Sequence, residues 1–264
     1  MSNPRLPAEM LDHIVDHLHD KRWALKQCCL VSKSWIPRTR KHLFANLVFT
    51  TVGTLQSWKN TFPVPSTSPA GYVKSLFISG PQAATAGSWI RGFSRVENLE
   101  MCVLALNFDF NESATPLVPF HGFSPVLKSL RLIIVAFPPS QIFNLILSFP
   151  LLEDLTLIVH LGVSTDNGDG SKEGEMPTAT QRPTPPVFTG SLKLHMKQEL
   201  KPFTRRLLSL PGGIHFRKLT LKCFSGGDLL LTTALIEGCS HTLESVDITS
   251  DLRGMFSRHL RPHR

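Results

Sequence analysis

The chain has 264 residues, 42% of them hydrophobic and 18% charged, with a mean hydropathy of +0.02 and a formal net charge of +8. This is a soluble globular composition, with room for one large domain or for a small domain beside a bigger one. The longest apolar run, residues 132–137, is far short of the roughly 20 residues of a membrane helix, and "MSNPRLPAEM" has no apolar core of the signal-peptide type.

Five cysteines, odd in number and without C-x-x-C spacing, argue against an oxidised secretory scaffold and for a cytoplasmic or nuclear home. The charge is uneven. Residues 1–48 carry eight Lys/Arg against four Asp/Glu, and residues 191–222 carry eight against one. Residues 223–250 hold four acids and no Lys/Arg. Such clustering permits an acidic or nucleic-acid partner, although a charge run is more often a solvated face.

The first element is a helix in "LPAEMLDHIVDHLHD". At 100° per residue Met10, Leu11, Ile14, Val15 and Leu18 share one arc, while Asp12, Asp16, His19 and Asp20 point away. Pro7 suits the first turn, and Glu9 lies where the helix dipole favours a carboxylate. His13 and His17 have the i, i+4 spacing of metal ligands, but they fall on the polar side among aspartates and read as solvated. No metal and no cofactor is expected.

A second helix runs through "WALKQCCLV". Its Leu25, Cys28 and Cys29 form an i, i+3, i+4 stripe, so the vicinal thiols are expected to pack as small hydrophobes. "SKSWIPRTRKHLF" starts a third helix, capped by Ser32 or Ser34, with Pro37 in the first turn and Trp35, Leu43 and Phe44 on its apolar side. Three short helices in under fifty residues leave apolar surface over, which usually serves a partner.

The string "LPAEMLDHIVDHL…LKQCCLVSKSW…HLFANLVF" resembles the F-box: a Leu-Pro-x-Glu opening, a helix with an Ile, then Leu-Val-Ser-Lys-x-Trp and a closing Leu-Phe. The resemblance covers residues 5–49 and defines a first domain, 1–49. It implies docking onto the small Skp-type adaptor of cullin–RING ubiquitin ligases. The matching positions are Leu6, Pro7, Met10, Ile14, Leu18, Leu30, Val31 and Trp35. Each competes with a role in the bundle core.

From residue 73 one pattern recurs: "VKSLFI", "VENLEM", "LKSLRL", "LEDLTL", "SLKLHM", "FRKLTL" and "LESVDI". Aligned on Leu76, Leu99, Leu130, Leu155, Leu192, Leu219 and Val246, the steps are 23, 31, 25, 37, 27 and 27 residues. Alternating L-x-L at such a period is the signature of leucine-rich repeats, each giving one short strand with its leucines inward. "LVF" at 47–49 is a candidate first strand of the same sheet. Helical stretches lie between: "SQIFNLILSF", "PFTRRLLSLPGG" ending at Pro211-Gly212-Gly213, and "DLLLTTALIEGC" capped by Asp228. Strand and helix in alternation imply parallel strands in a curved, irregular solenoid over 50–264, rather than a closed α/β domain. Residues 164–186, rich in Gly, Ser, Thr and Pro, are expected to be a flexible insertion. "GDGSKEG" within them is not a phosphate loop, since G-x-x-x-x-G-K-[ST] is absent.

"TGSLKLHM…TRRLLSLPGGIHFRKLTLKC…LIEGCSHTLESVDIT" is similar to a group of mushroom-type fungal F-box-like proteins with leucine-rich-repeat tails. Their members are usually longer, and "RGMFSRHLRPHR" does not continue the pattern, so truncated C-terminal repeats are expected. The resemblance implies a substrate-recruiting adaptor in a Skp–cullin–F-box ubiquitin ligase complex, binding an unknown protein target through its repeats. Two alternatives are a non-ligase F-box scaffold and, more weakly, a nucleic-acid-binding protein using the basic 191–222 stretch. No G-x-S-x-G, H-E-x-x-H or glycine-rich dinucleotide turn is present, so no catalytic residue and no enzyme activity is expected.

Overall fold

The computed structural model describes residues 7–64, 67–79, 87–104, 120–121, 123–135, 139–159, 188–196, 201–223 and 226–250. Leu6, the expected insertion at 164–186 and the basic tail from residue 251 lie outside these.

Three helices open the chain. α1 spans Ala8–His17 and starts at Pro7, whose fixed φ suits a first turn and whose missing N–H costs nothing there. α2 spans Arg22–Val31. A single 3₁₀ turn, Lys33–Trp35, follows, with Ser32 accepting a hydrogen bond from the Ser34 N–H. α3 then runs over Ile36–Leu43, with Pro37 in its first turn and Arg40, Lys41 and His42 in its last, where the dipole favours cations. Val15, Leu25 and Cys28 form the buried centre of the block, and Cys29 is only half-buried.

The remaining chain builds one parallel α/β sheet. The strands are β1 (Asn46–Phe49), β2 (Ser75–Ser79), β3 (Asn98–Leu104), β4 (Ser129–Val135), β5 (Asp154–Val159), β6 (Ser191–Met196), β7 (Lys218–Cys223) and β8 (Ser245–Ser250). Each pairs in parallel with the next, so spatial order equals chain order. Parallel neighbours cannot be joined by a tight turn, and every link must cross over and return. α5 (Pro139–Leu147), α6 (Lys201–Leu208) and α7 (Gly226–Gly238) supply returns, while 3₁₀ turns at Pro69–Tyr72 and Gly87–Gly92 serve the earlier links. α6 ends into Gly212 and Gly213, both at positive φ, a region that glycine enters without steric cost.

The register is the one that the repeat alignment implies. Leu47, Leu76, Leu99, Leu130, Leu155, Leu192, Leu219 and Val246 are successive pairing partners across all eight strands. Two positions on, Phe49, Ile78, Met101, Leu132, Leu157, Leu194, Leu221 and Ile248 form a second inward column. From β2 to β7 both columns join Phe143, Ile146, Phe203, Leu207 and Leu235 of the helices in one core, which also takes in Phe49, with Leu47 packed against it. This burial is what fixes register: a one-residue slip would turn both columns to solvent.

Three findings depart from the sequence reading. Residues 52–61 form a helix, α4 (Val52–Thr61), held by a reciprocal capping box between Thr51 and Thr54. α7 begins two residues before Asp228, which lies buried in its first turn rather than at its cap. At the far end Val246 and Ile248 are 40% and 45% exposed, although they continue columns that are buried from β2 to β7.

Two residues before the leucine column, the sheet carries a charged base. Lys74, Glu97, Lys128, Glu153, Gly190, Arg217 and Glu244 are linked in order, each backbone N–H donating to the carbonyl of the one before at 2.8–3.2 Å. Their side chains pair as Lys74–Glu97 at 2.7 Å, Lys128–Glu153 at 3.9 Å and Arg217–Glu244 at 3.8 Å. Gly190 interrupts the series because a Cβ there would sit 2.5 Å from Asp154 Oδ1 and 2.9 Å from the Glu153 carbonyl. Asp154 instead accepts hydrogen bonds from the Ser191 N–H at 2.7 Å and the Ser191 hydroxyl at 2.6 Å.

Candidate functional site

The helical block is clamped from its polar side. The wheel places Asp16 facing solvent, whereas the structure joins its carboxylate to α3: Arg38 donates through Nε to Oδ1 at 2.6 Å and through Nη2 to Oδ2, and His42 donates through Nε2 to Oδ1 at 2.7 Å. These hydrogen bonds, Arg38 first and His42 second, hold the Asp16 carboxyl well below the usual carboxylate range. Thr39, fully buried, donates to the Trp35 carbonyl at 2.7 Å and ties α3 to the turn before it.

With its polar side used for the clamp and Val15, Leu25 and Cys28 its only buried hydrophobic residues among those described, the block leaves large apolar side chains in solvent. Met10 is 52% exposed, Ile14 41%, Leu30 80% and Val31 68%. Pro7 is exposed as well, while Leu18 and Trp35 are half-buried. Met10 and Ile14 lie one turn apart on α1, and Leu30 and Val31 close α2 beside the 3₁₀ turn that touches α1, α2 and α3. Of the expected contact residues described, five stand in solvent and two at the margin. Trp23, 75% exposed, was not among them. It precedes Leu30 by two helical turns and so shares its stripe of α2. A tryptophan left in water beside a helix whose core stripe is already filled is the signal that could have marked it.

Cys28 is buried and Cys29 half-buried, both as free thiols, and His13 and His17 are exposed. Among the described residues no group of three or more His, Cys, Asp or Glu could hold a metal ion. No described helix is long and apolar enough to cross a membrane.

The second surface is the outward face of the sheet. Beside β1 it carries Val48 and Phe77, then Glu100 and Arg131, which pair at 3.5 Å across adjacent strands. A depression of about 270 Å³ opens here, floored by these side chains and rimmed by Asn46, Ser75 and Asn98. Further along, Lys193, Lys218 and Lys222 alternate with buried leucines and therefore point outward. The described bases of the 191–222 stretch are divided between two sides of the sheet and its base. Arg205 and Arg206 lie on α6 in the opposite layer, and Arg217 pairs with Glu244 at the strand base.

Compared with protein-family models, with curated proteins and with solved structures, the chain finds no match.

Proposed function

We propose that this chain is a substrate-recruiting adaptor of a Skp–cullin–F-box ubiquitin ligase, with an F-box-like helical block and a leucine-rich-repeat-like solenoid behind it. The observation that carries the reading is the exposure of Met10, Ile14, Leu30 and Val31 on a block that is otherwise internally satisfied. These are positions that the F-box resemblance assigns to the Skp-type adaptor. Solvent-facing apolar anchors of this size are costly on a surface without a partner, and interfaces concentrate their energy in such residues. The outward sheet face, broad and chemically varied from Val48 to Asp247, is the surface on which this reading places the protein target. In this role the chain positions two other proteins and performs no reaction itself.

The test is direct binding of the full chain to a recombinant Skp-type adaptor by calorimetry. Saturable one-to-one binding is expected. Leu30→Asp together with Met10→Asp should abolish it and leave the thermal unfolding transition in place, since both side chains already face water. A wild-type chain that ignores the adaptor would remove the ligase reading. Binding to the adaptor with no cullin in the assembled complex would leave the scaffold reading instead.

A further inference from the structure

Between its two inward columns the sheet carries one outward column, and its chemistry is sorted by strand. On β1 and β2 it holds Val48, 58% exposed, paired with Phe77, and both line the depression of about 270 Å³. On β3 and β4 it holds Glu100 and Arg131, which neutralise each other at 3.5 Å. Uncharged Thr156 follows on β5, and Lys193 on β6.

Elsewhere on the sheet bases meet acids across neighbouring strands, as in Lys74–Glu97, Lys128–Glu153, Arg131–Glu100 and Arg217–Glu244. Lys193 and Lys218 are both exposed, and neither forms an ion pair with a described carboxylate. The register gives the reason. Lys193 is paired with Thr156 and Thr220, and Lys218 with Ser191 and Ser245, so hydroxyl residues stand on both sides of each lysine. Asp154 on β5 is engaged by Ser191. Ammonium groups set among hydroxyls offer charge and donors together, which is what a carboxylate takes up.

We infer that the outward face takes from the protein target an extended segment that crosses the strands, with one apolar side chain in the depression at Val48 and Phe77 and a run of Asp or Glu on Lys193 and Lys218. Four strand steps separate β2 from β6, about 19 Å at about 4.8 Å each, so about six residues of extended chain lie between the two anchors. Between them the self-neutralised Glu100–Arg131 pair and Thr156 favour uncharged residues. Asn46, Ser75, Asn98 and Ser129 rim the depression with carboxamides and hydroxyls that can meet the segment's main chain. The inference rests on the sheet face being the target surface, and it names the chemistry of what binds there.

The probe is a labelled peptide of one leucine, a five-residue Gly/Ser spacer and three glutamates, titrated with the full chain by fluorescence anisotropy. Saturable binding is expected, weakening as salt rises. Three control peptides should each bind at least tenfold more weakly: glycine for the leucine, lysines for the glutamates, and a one-residue spacer, which reaches at most about 7 Å. Lys193→Glu with Lys218→Glu, both at exposed positions, should reverse the preference toward the lysine peptide, and Val48→Asp should weaken both peptides. Thermal unfolding controls for the fold of each variant. Affinity unchanged by the charge reversal, by the loss of leucine or by the short spacer would overturn the inference, as would tighter binding of a single-stranded oligonucleotide. No peptide binding by a chain that still binds the Skp-type adaptor would overturn it alone, whereas peptide binding by a chain that ignores the adaptor would remove the ligase reading and support the inference.

Discussion

Truncating the leucine column one member at a time should produce a stability profile set by each residue's neighbours rather than by its own chemistry. Leu130 is fully buried, and its partners Leu99 and Leu155 are 2% and 0% exposed. Leu130→Ala removes three carbon groups, a transfer loss of about 2.4 kcal/mol at about 0.8 kcal/mol each. The surrounding layers are themselves fixed by register, so the space cannot close, and a cavity term brings the expected cost to about 3–5 kcal/mol. Val246 occupies the same column but is 40% exposed, with one strand neighbour among the described residues. Val246→Ala should cost no more than about 1 kcal/mol. Urea unfolding followed by circular dichroism reads both, provided the slope with denaturant stays constant across the series. Val246→Ala costing as much as Leu130→Ala would show that burial does not set the profile and would refute the reasoning.

Leu219→Ala should cost about 2–5 kcal/mol while Lys218→Ala stays within about 0.5 kcal/mol, and equal effects in the same urea assay would mean that inward and outward positions are reversed. Asp16→Asn should lower stability by on the order of 1 kcal/mol, as for a partly exposed bidentate pair. Because the folded Asp16 carboxyl titrates below its unfolded value, the contribution is full above about pH 4 and is lost as pH falls further; the wild-type minus variant difference in melting temperature should shrink in acid, and a constant difference would contradict the clamp. Gly190→Ala should cost about 1–3 kcal/mol through overpacking against Asp154 and the Glu153 carbonyl, and a neutral result in thermal melts would show that this loop relaxes freely.

The sheet was legible because each strand repeats the same two inward positions, and burial on one face allows only one register. Aligning Leu76 with Leu99 and onward is the same act as pairing the strands. Helix α4 escaped notice because its apolar content is thin, chiefly Leu55 and Trp58, and its start rests on two threonines that bond each other. The Asp16 clamp is invisible to a helical wheel: Arg38 and His42 lie 22 and 26 residues away, and only the fold of the block brings them within reach. The same wheel finds the apolar arc of α1 but not its division, with Val15 inward and Met10 and Ile14 outward. Where the arc meets α2 and α3 decides that, and the meeting is tertiary.

The charged base of the sheet bears on a problem that every array of similar strands must solve. Hydrophobic pattern alone cannot distinguish one neighbour from the next, because any of these strands would present leucine to leucine. Charge can. Lys74, Glu97, Lys128 and Glu153 alternate in sign along the stack, so true neighbours attract, while a pairing that skipped one strand would set Lys74 against Lys128 or Glu97 against Glu153. The alternation favours true neighbours over a skipped strand, in a column that the core does not use. It lapses at Gly190, where sign no longer labels the strand and the bonds from Ser191 to Asp154 take over the recognition of the neighbour.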